Sequence, residues 1–210
     1  MPVFFDQQPV TVPHDSLAGA IEAARQVAEA RGRVVVDVLL DGERLDEDAL
    51  QQPSAEPLGG REIRFTSVEP RVFVGQALLD AVEELESITK NQQAAAKGLR
   101  SGNLPAAFEA LQSAVDSWQL VRRAAGDGPA LLGLDPGRVS VRGEDGRAES
   151  LATHVEALAH DLRTLQNALS IQDWSSISDL LGAGGELDER ATQWRILLTD
   201  LAYQIDPRPR

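Results

Sequence analysis

The chain contains no cysteine. Disulfides, thiolate catalysis and Cys-ligated zinc are therefore excluded. Aromatic residues are scarce, at 4 % of 210 residues with a single tyrosine, so no set of exposed rings is available for base stacking. Positive charge is also short: 20 Lys and Arg face 33 Asp and Glu, for a formal charge of −13. No basic cluster offsets that balance, so a phosphate backbone is repelled at long range and nucleic-acid binding is not expected. Long apolar runs are missing too. The longest, such as Val34-Val35-Val36 and Val38-Leu39-Leu40, fall far short of the roughly 20 residues needed to cross a bilayer, so no membrane segment is expected. The opening MPVFFDQQPV has no basic stretch followed by an apolar core, so no secretory signal is expected and the cytoplasm is the expected compartment.

The residue patterns that carry chemistry are equally sparse. His154 and His160 stand six apart, whereas neighbouring ligands on one helix face are three or four apart. His160 is followed by Asp161, but consecutive helical residues point about 100° apart, so that pair reads as solvated surface. His14 falls at a helix entry, where a surface or capping role is expected. Gly182-Ala183-Gly184-Gly185 follows helical residues and not a strand, so it lacks the context of a phosphate cradle. Ala124–Gly133 has no Lys-Ser/Thr pair, and Asp46, Glu47 and Asp48 lack calcium-loop spacing. No serine sits in a nucleophile elbow. No catalytic residue, no cofactor site and no metal site is expected.

What is present falls into two parts. The first 70 residues change period over short distances, as mixed α/β domains do. VFFDQQPVTV reads as a hairpin turning near Gln7-Gln8-Pro9. Asp15 or Ser16 then caps a helix with an apolar face of Leu17, Ile21, Ala24 and Val27, which Gly32 stops. VVVDVLL is rich in β-branched residues and turns tightly at Asp41-Gly42. EIRFTSV alternates Ile63, Phe65 and Ser67 against Arg64, Thr66 and Val68, after a loop holding Pro57, Gly59 and Gly60.

In that order of elements the chain resembles ubiquitin-like proteins of the β-grasp fold. The stretch VLLDGERLDEDAL, Val38 to Leu50, is similar to the place where a hydrophobic strand of those proteins turns through a glycine and runs on to a leucine. The resemblance covers about a third of the chain. It departs from the conjugating members, whose chemistry needs a free terminal Gly-Gly, because Gly59-Gly60 is internal. It implies a fold and a binding module without conjugation or sulfur-carrier activity.

Beyond Pro70 the period is helical. Leu78, Leu85, Gln92 and Leu99 recur every seven residues with Ala81, Ile88 and Ala95 interleaved. After Ser101-Gly102-Asn103 a second stripe runs through Leu104, Phe108, Leu111, Val115 and Trp118, and a third through Leu151, Val155, Leu158, Leu162, Leu165 and Leu169. Between them Gly126–Glu149 is rich in Gly and Pro and reads as a long loop, with a small hairpin from Val139 and Val141 turning at Glu144-Asp145-Gly146. A fourth stripe, Trp174, Ile177, Leu180, Gly184, Leu187, Ala191, Trp194, Leu198, Leu201 and Ile205, keeps a spacing of three and four through the glycines. One long helix is expected there, with a break at Gly182–Gly185 as the alternative.

The expected fold is α+β: a small β-grasp-like domain over residues 1–70, then an antiparallel four-helix bundle over 71–210 with the loop 126–149. SGNLPAAFEAL, Ser101 to Leu111, on an acidic helical bundle is similar to the flagellar export chaperones of bacteria, which sequester a partner's helix; no motif residue carries over. The expected function is a non-enzymatic protein-interaction module, an adaptor, scaffold or chaperone-like protein. A small-molecule-binding or enzymatic domain with loop 126–149 as a lid is the alternative. If Gly184 faces inward between Leu180 and Leu187, it leaves a gap edged by Trp174 in which a partner helix could dock. Trp118 and Trp194 read as core, and self-association through the bundle is left open.

Overall fold

The computed structural model describes residues 1–143 and 146–207. Glu144 and Asp145, on which the expected hairpin turn falls, lie outside the described residues. The elements in chain order are β1 (Val3–Phe5), β2 (Gln8–Pro9), α1 (Leu17–Ala30), β3 (Val34–Leu40), β4 (Glu43–Arg44), α2 (Glu47–Gln51) and β5 (Ile63–Val68). They continue with α3 (Pro70–Arg100), α4 (Leu104–Leu131), β6 (Ser140–Arg142), β7 (Ala148–Ser150), α5 (Leu151–Ser170), α6 (Trp174–Leu181) and α7 (Glu186–Ile205). The fold is α+β: a small mixed sheet at the amino end, then helices. Contacts divide it into two compact units, Met1–Phe73 and Val74–Arg210. Among the described residues no helix is long and apolar enough to cross a membrane.

In the first unit the sheet runs β2-β1-β5-β3-β4, with β1 parallel to β5 and the other pairs antiparallel. Alternation sends Val3 and Phe5 of β1, and Ile63, Phe65 and Ser67 of β5, into the interior. The Ser16 hydroxyl caps α1 by accepting the Gly19 N–H at 3.1 Å. The helix buries Leu17, Ala20, Ala24 and Ala28 most deeply, while Ile21 and Val27 of the expected face are half-buried. Alanine lets the helix backbone lie close to the sheet, and Ile21 and Val27 are displaced to the flanks. The first hairpin turns at Asp6-Gln7, one residue earlier than expected. Both residues have positive φ, 48° and 66°, as a two-residue turn requires, and Asp tolerates that region better than most residues. Asp41-Gly42 turns β3 into β4 as its sequence suggests, pairing Leu40 with Glu43.

The second unit buries one continuous core drawn from α3, α4, α5, α6, α7 and the β6–β7 hairpin. Helices α3 and α4 meet closely: a Cβ added at Gly98 would lie 2.9 Å from the Cβ of Ala107. Because Ala107 and Ala114 face inward, Leu104 and Phe108 of the expected second stripe are turned outward, and Phe108 is 42 % exposed. The expected loop from Gly126 also needs correction, since α4 continues to Leu131 through Gly126, Gly128 and Pro129. Gly128 fits where Val74 Cγ1 would come within 3.1 Å of a Cβ. Pro129 is buried near the helix end, where its missing N–H forfeits one backbone bond rather than a whole turn. The remainder is not a free loop. Val141 is fully buried, the Arg142 N–H donates to Asp200 Oδ2 at 3.1 Å and Gln204 Nε2 donates to the Ser140 carbonyl at 3.0 Å. The hairpin is thereby fastened to α7.

The expected single fourth helix is two, broken at Gly182–Gly185. Gly185 explains the break, because a Cβ there would collide with the Asp179 carbonyl oxygen. Gly182 is similarly hemmed in: a Cβ there would meet Arg100 Nη2 at 2.8 Å and the Ser178 carbonyl at 2.9 Å. Gly184 has φ +74° with open space around it. The inward positions of α6 are Ile177, Ser178 and Leu181, and those of α7 resume at Leu187, so the stripe changes phase across the turn.

Candidate functional site

A large apolar concavity belongs to the first unit and follows from how short β4 is. That strand pairs only with Leu39 and Leu40, and one further bond runs from the Leu45 N–H to the Val38 carbonyl at 3.0 Å. Asp46 then caps α2 by accepting the Ala49 N–H at 2.8 Å, which turns the chain away from the sheet. On that side Val34–Asp37 have no ladder neighbour among the described residues, although β5 pairs with their other side. The ladder with β5 slips between Val35 and Asp37, a bulge that increases twist and re-aims the exposed edge.

The valines of this edge are half-buried, unlike Val38 and Leu40 further along. Beside them α1, α2 and the strand enclose a groove of about 850 Å³ with Ile21, Ala24, Ala28, Leu45 and Leu50 in its walls. Part of its charged rim is paired: Arg44 Nε lies 2.7 Å from Asp37 Oδ1, and Arg25 Nη2 lies 2.8 Å from Oε2 of the neighbouring Glu22. Arg33 is held by two bonds of 2.6 Å to the Ser67 hydroxyl and carbonyl, with Asp6 at 3.5 Å. Burial acts to raise the Asp6 carboxyl, but hydrogen bonds from the Ser67 hydroxyl and N–H, with Arg33 and Arg31 nearby, outweigh it and hold the group below its ordinary value. These bonds fix the start of β3 against β5, so the edge is presented on a rigid support. A second hollow, of about 510 Å³, lies on the outward face of the sheet between Phe4, Leu39 and Thr66, and is capped by Arg64 over the Phe4 ring at 5.8 Å. It is more polar, and Phe4, Leu39, Arg64, Phe65 and Thr66 of its lining are paired within the sheet.

The residues that the sequence nominated for partner docking do not converge. Trp174 begins α6 and is half-buried, its ring 5.6 Å from that of Phe108 at an interplanar angle of 68°. Leu180 is half-buried, Leu187 is fully buried in the core, and Gly184 is exposed in the turn, its N–H donated to Asp188 Oδ2 at 3.0 Å. Gly184 is not an inward position, so the gap expected beside it does not form. Of the expected stripes, Trp118 and Trp194 are fully buried.

Sequence reasoning missed the groove because its defining feature is an absence, the lack of a strand beside Val34–Asp37. The signal was available in the shortness of the segment between Gly42 and Asp46. It also missed Asp161, which is buried and bonded to Arg190 Nε at 2.7 Å rather than solvated beside the exposed His160. Among the described residues no group of three His, Asp or Glu side chains is placed to hold a metal ion. Compared with protein-family models, characterised proteins and solved structures, the chain matches none.

Proposed function

We propose that this chain is a non-enzymatic protein-interaction module whose first unit captures an extended segment of a partner protein along the free edge of β3. The observation that carries the reading is the backbone of Val34–Asp37, which on the side away from β5 has no ladder neighbour among the described residues and lies beside an apolar groove. An extended strand satisfies such an edge with main-chain hydrogen bonds and places alternate side chains into the groove; a helix cannot donate to it. The sheet order and the single helix packed across the sheet support the β-grasp reading of this unit. In the second unit, α3, α4 and α5 with α6 and α7 as an interrupted fourth leg support a four-helix bundle that serves as scaffold.

The test is selection of random twelve-residue peptides on the full-length chain. Enriched peptides should alternate apolar residues, perturb the amide signals of α1 and β3, and be lost on Val36→Lys with the melting temperature little changed. Enrichment of peptides that map elsewhere, or that survive Val36→Lys, would overturn the reading. So would a concentration-dependent dimer in light scattering that Val36→Lys dissolves, since the edge would then be satisfied by a second copy.

A further inference from the structure

A third concavity, in the helical unit and independent of the groove, is lined by side chains of opposite charge. It has a volume of about 380 Å³ and lies where the β6–β7 hairpin meets α5 and α7. Arg190 of α7 is oriented from two sides: its Nε donates to the buried Asp161 at 2.7 Å and its Nη1 donates to Gln193 Oε1 at 3.0 Å. Its Nη2 has no hydrogen-bond partner among the described residues, and the Gln193 amide nitrogen is likewise unused. On the hairpin side stands Glu149, its side chain 51 % exposed and one oxygen 3.3 Å from His154 Nε2. The His154 side chain is 12 % exposed, and its burial favours the neutral imidazole. Ala157 and Leu197 supply the apolar part of the lining.

The guanidinium is held rigidly by a buried carboxylate, which fixes its direction and neutralises one charge. A purely anionic ligand would leave Glu149 unpaired, and a purely cationic one would leave the remaining donors of Arg190 unused. A ligand carrying both charges a short distance apart suits both walls. We propose that this cleft binds a free α-amino acid, with the carboxylate on Arg190 Nη2 and the Gln193 amide, the ammonium on Glu149, and a small apolar side chain against Ala157 and Leu197. The volume is at the small end of ligand pockets, which fits a ligand of this size.

The experiment titrates the full-length protein with L-alanine and L-leucine and follows backbone amide signals by NMR. The expected result is saturable shifts confined to residues near Glu149, His154 and Arg190, with a dissociation constant of about 1 mM or tighter. N-acetyl-alanine lacks the ammonium and alanine amide lacks the carboxylate, so each should bind at least about tenfold more weakly. Glu149→Gln, a substitution at a half-exposed position, should abolish saturation while leaving the spectrum folded. Arg190→Lys keeps a cation on Asp161 but removes the second guanidinium nitrogen, and should do the same. Equal binding of N-acetyl-alanine would overturn the proposal in favour of a plain carboxylate. Absence of saturable shifts in the wild-type chain, or full binding by both variants, would overturn it outright.

Discussion

Gln92 lies on α3 with no exposed surface, and neither atom of its amide has a hydrogen-bond partner among the described residues. A buried amide left unpaired costs about 1–3 kcal/mol. Leucine has similar volume and continues the row of Leu78, Leu85 and Leu99, so Gln92→Leu should raise the unfolding free energy by about 1–3 kcal/mol, read from the urea midpoint. A lower midpoint would show that the amide is satisfied within the core. The spacing of sevens placed Gln92 inward correctly, and it could not say whether a partner waited there, because partners come from other helices. His154 makes the same point. Burial pushes its imidazole below the ordinary value, Glu149 partly restores it and Arg190 lowers it further. A base whose folded value is depressed contributes stability that is present above its unfolded value, about pH 6.5, and lost as pH falls through the folded one. Acidification from pH 7 to 5 should therefore lower the melting temperature of the helical unit, and His154→Gln should flatten that slope.

The turn between α6 and α7 shows how an element boundary can hide. The apolar spacing continued through the glycines because two helices that pack on one core each present a stripe, and a turn of four residues can carry the count across while the buried face shifts. What decides the matter is a backbone contact, Gly185 against the Asp179 carbonyl, which no periodicity reports. Gly184→Leu should destabilise by about 1–2 kcal/mol, the penalty of a side chain at positive φ, without overpacking. Gly185→Ala should be worse, since helix α6 must shift to admit the methyl group; thermal melts of the two variants give the order. A larger loss at Gly184 would restore the continuous helix. The sheet was more legible. Asp41-Gly42, the Ser16 cap and the alternation of β5 are local signals, and each is found where its chemistry requires it. The length of α4 was not, because Gly128 answers to a neighbour, Val74, that is far away in sequence, and Pro129 sits close enough to the helix end to forfeit a single bond.

At the scale of the molecule, each unit owns a separate apolar cluster, so each should unfold on its own. A fragment from Glu69 to Arg210 retains α3 whole, including the bond from the Phe73 N–H to the Glu69 carbonyl, and should melt cooperatively by circular dichroism; a fragment without a transition would mean that the sheet completes its core. The chain carries −13 at neutral pH and has an isoelectric point near 4.6. That surplus of negative charge keeps copies of the valine edge apart, because charged neighbours repel before backbones can pair. Storage near pH 4.6 removes the repulsion while the edge remains. Fibrils seeded at Val34–Val36, detectable by thioflavin fluorescence and suppressed by Val36→Lys, are the expected fate of the protein in mild acid.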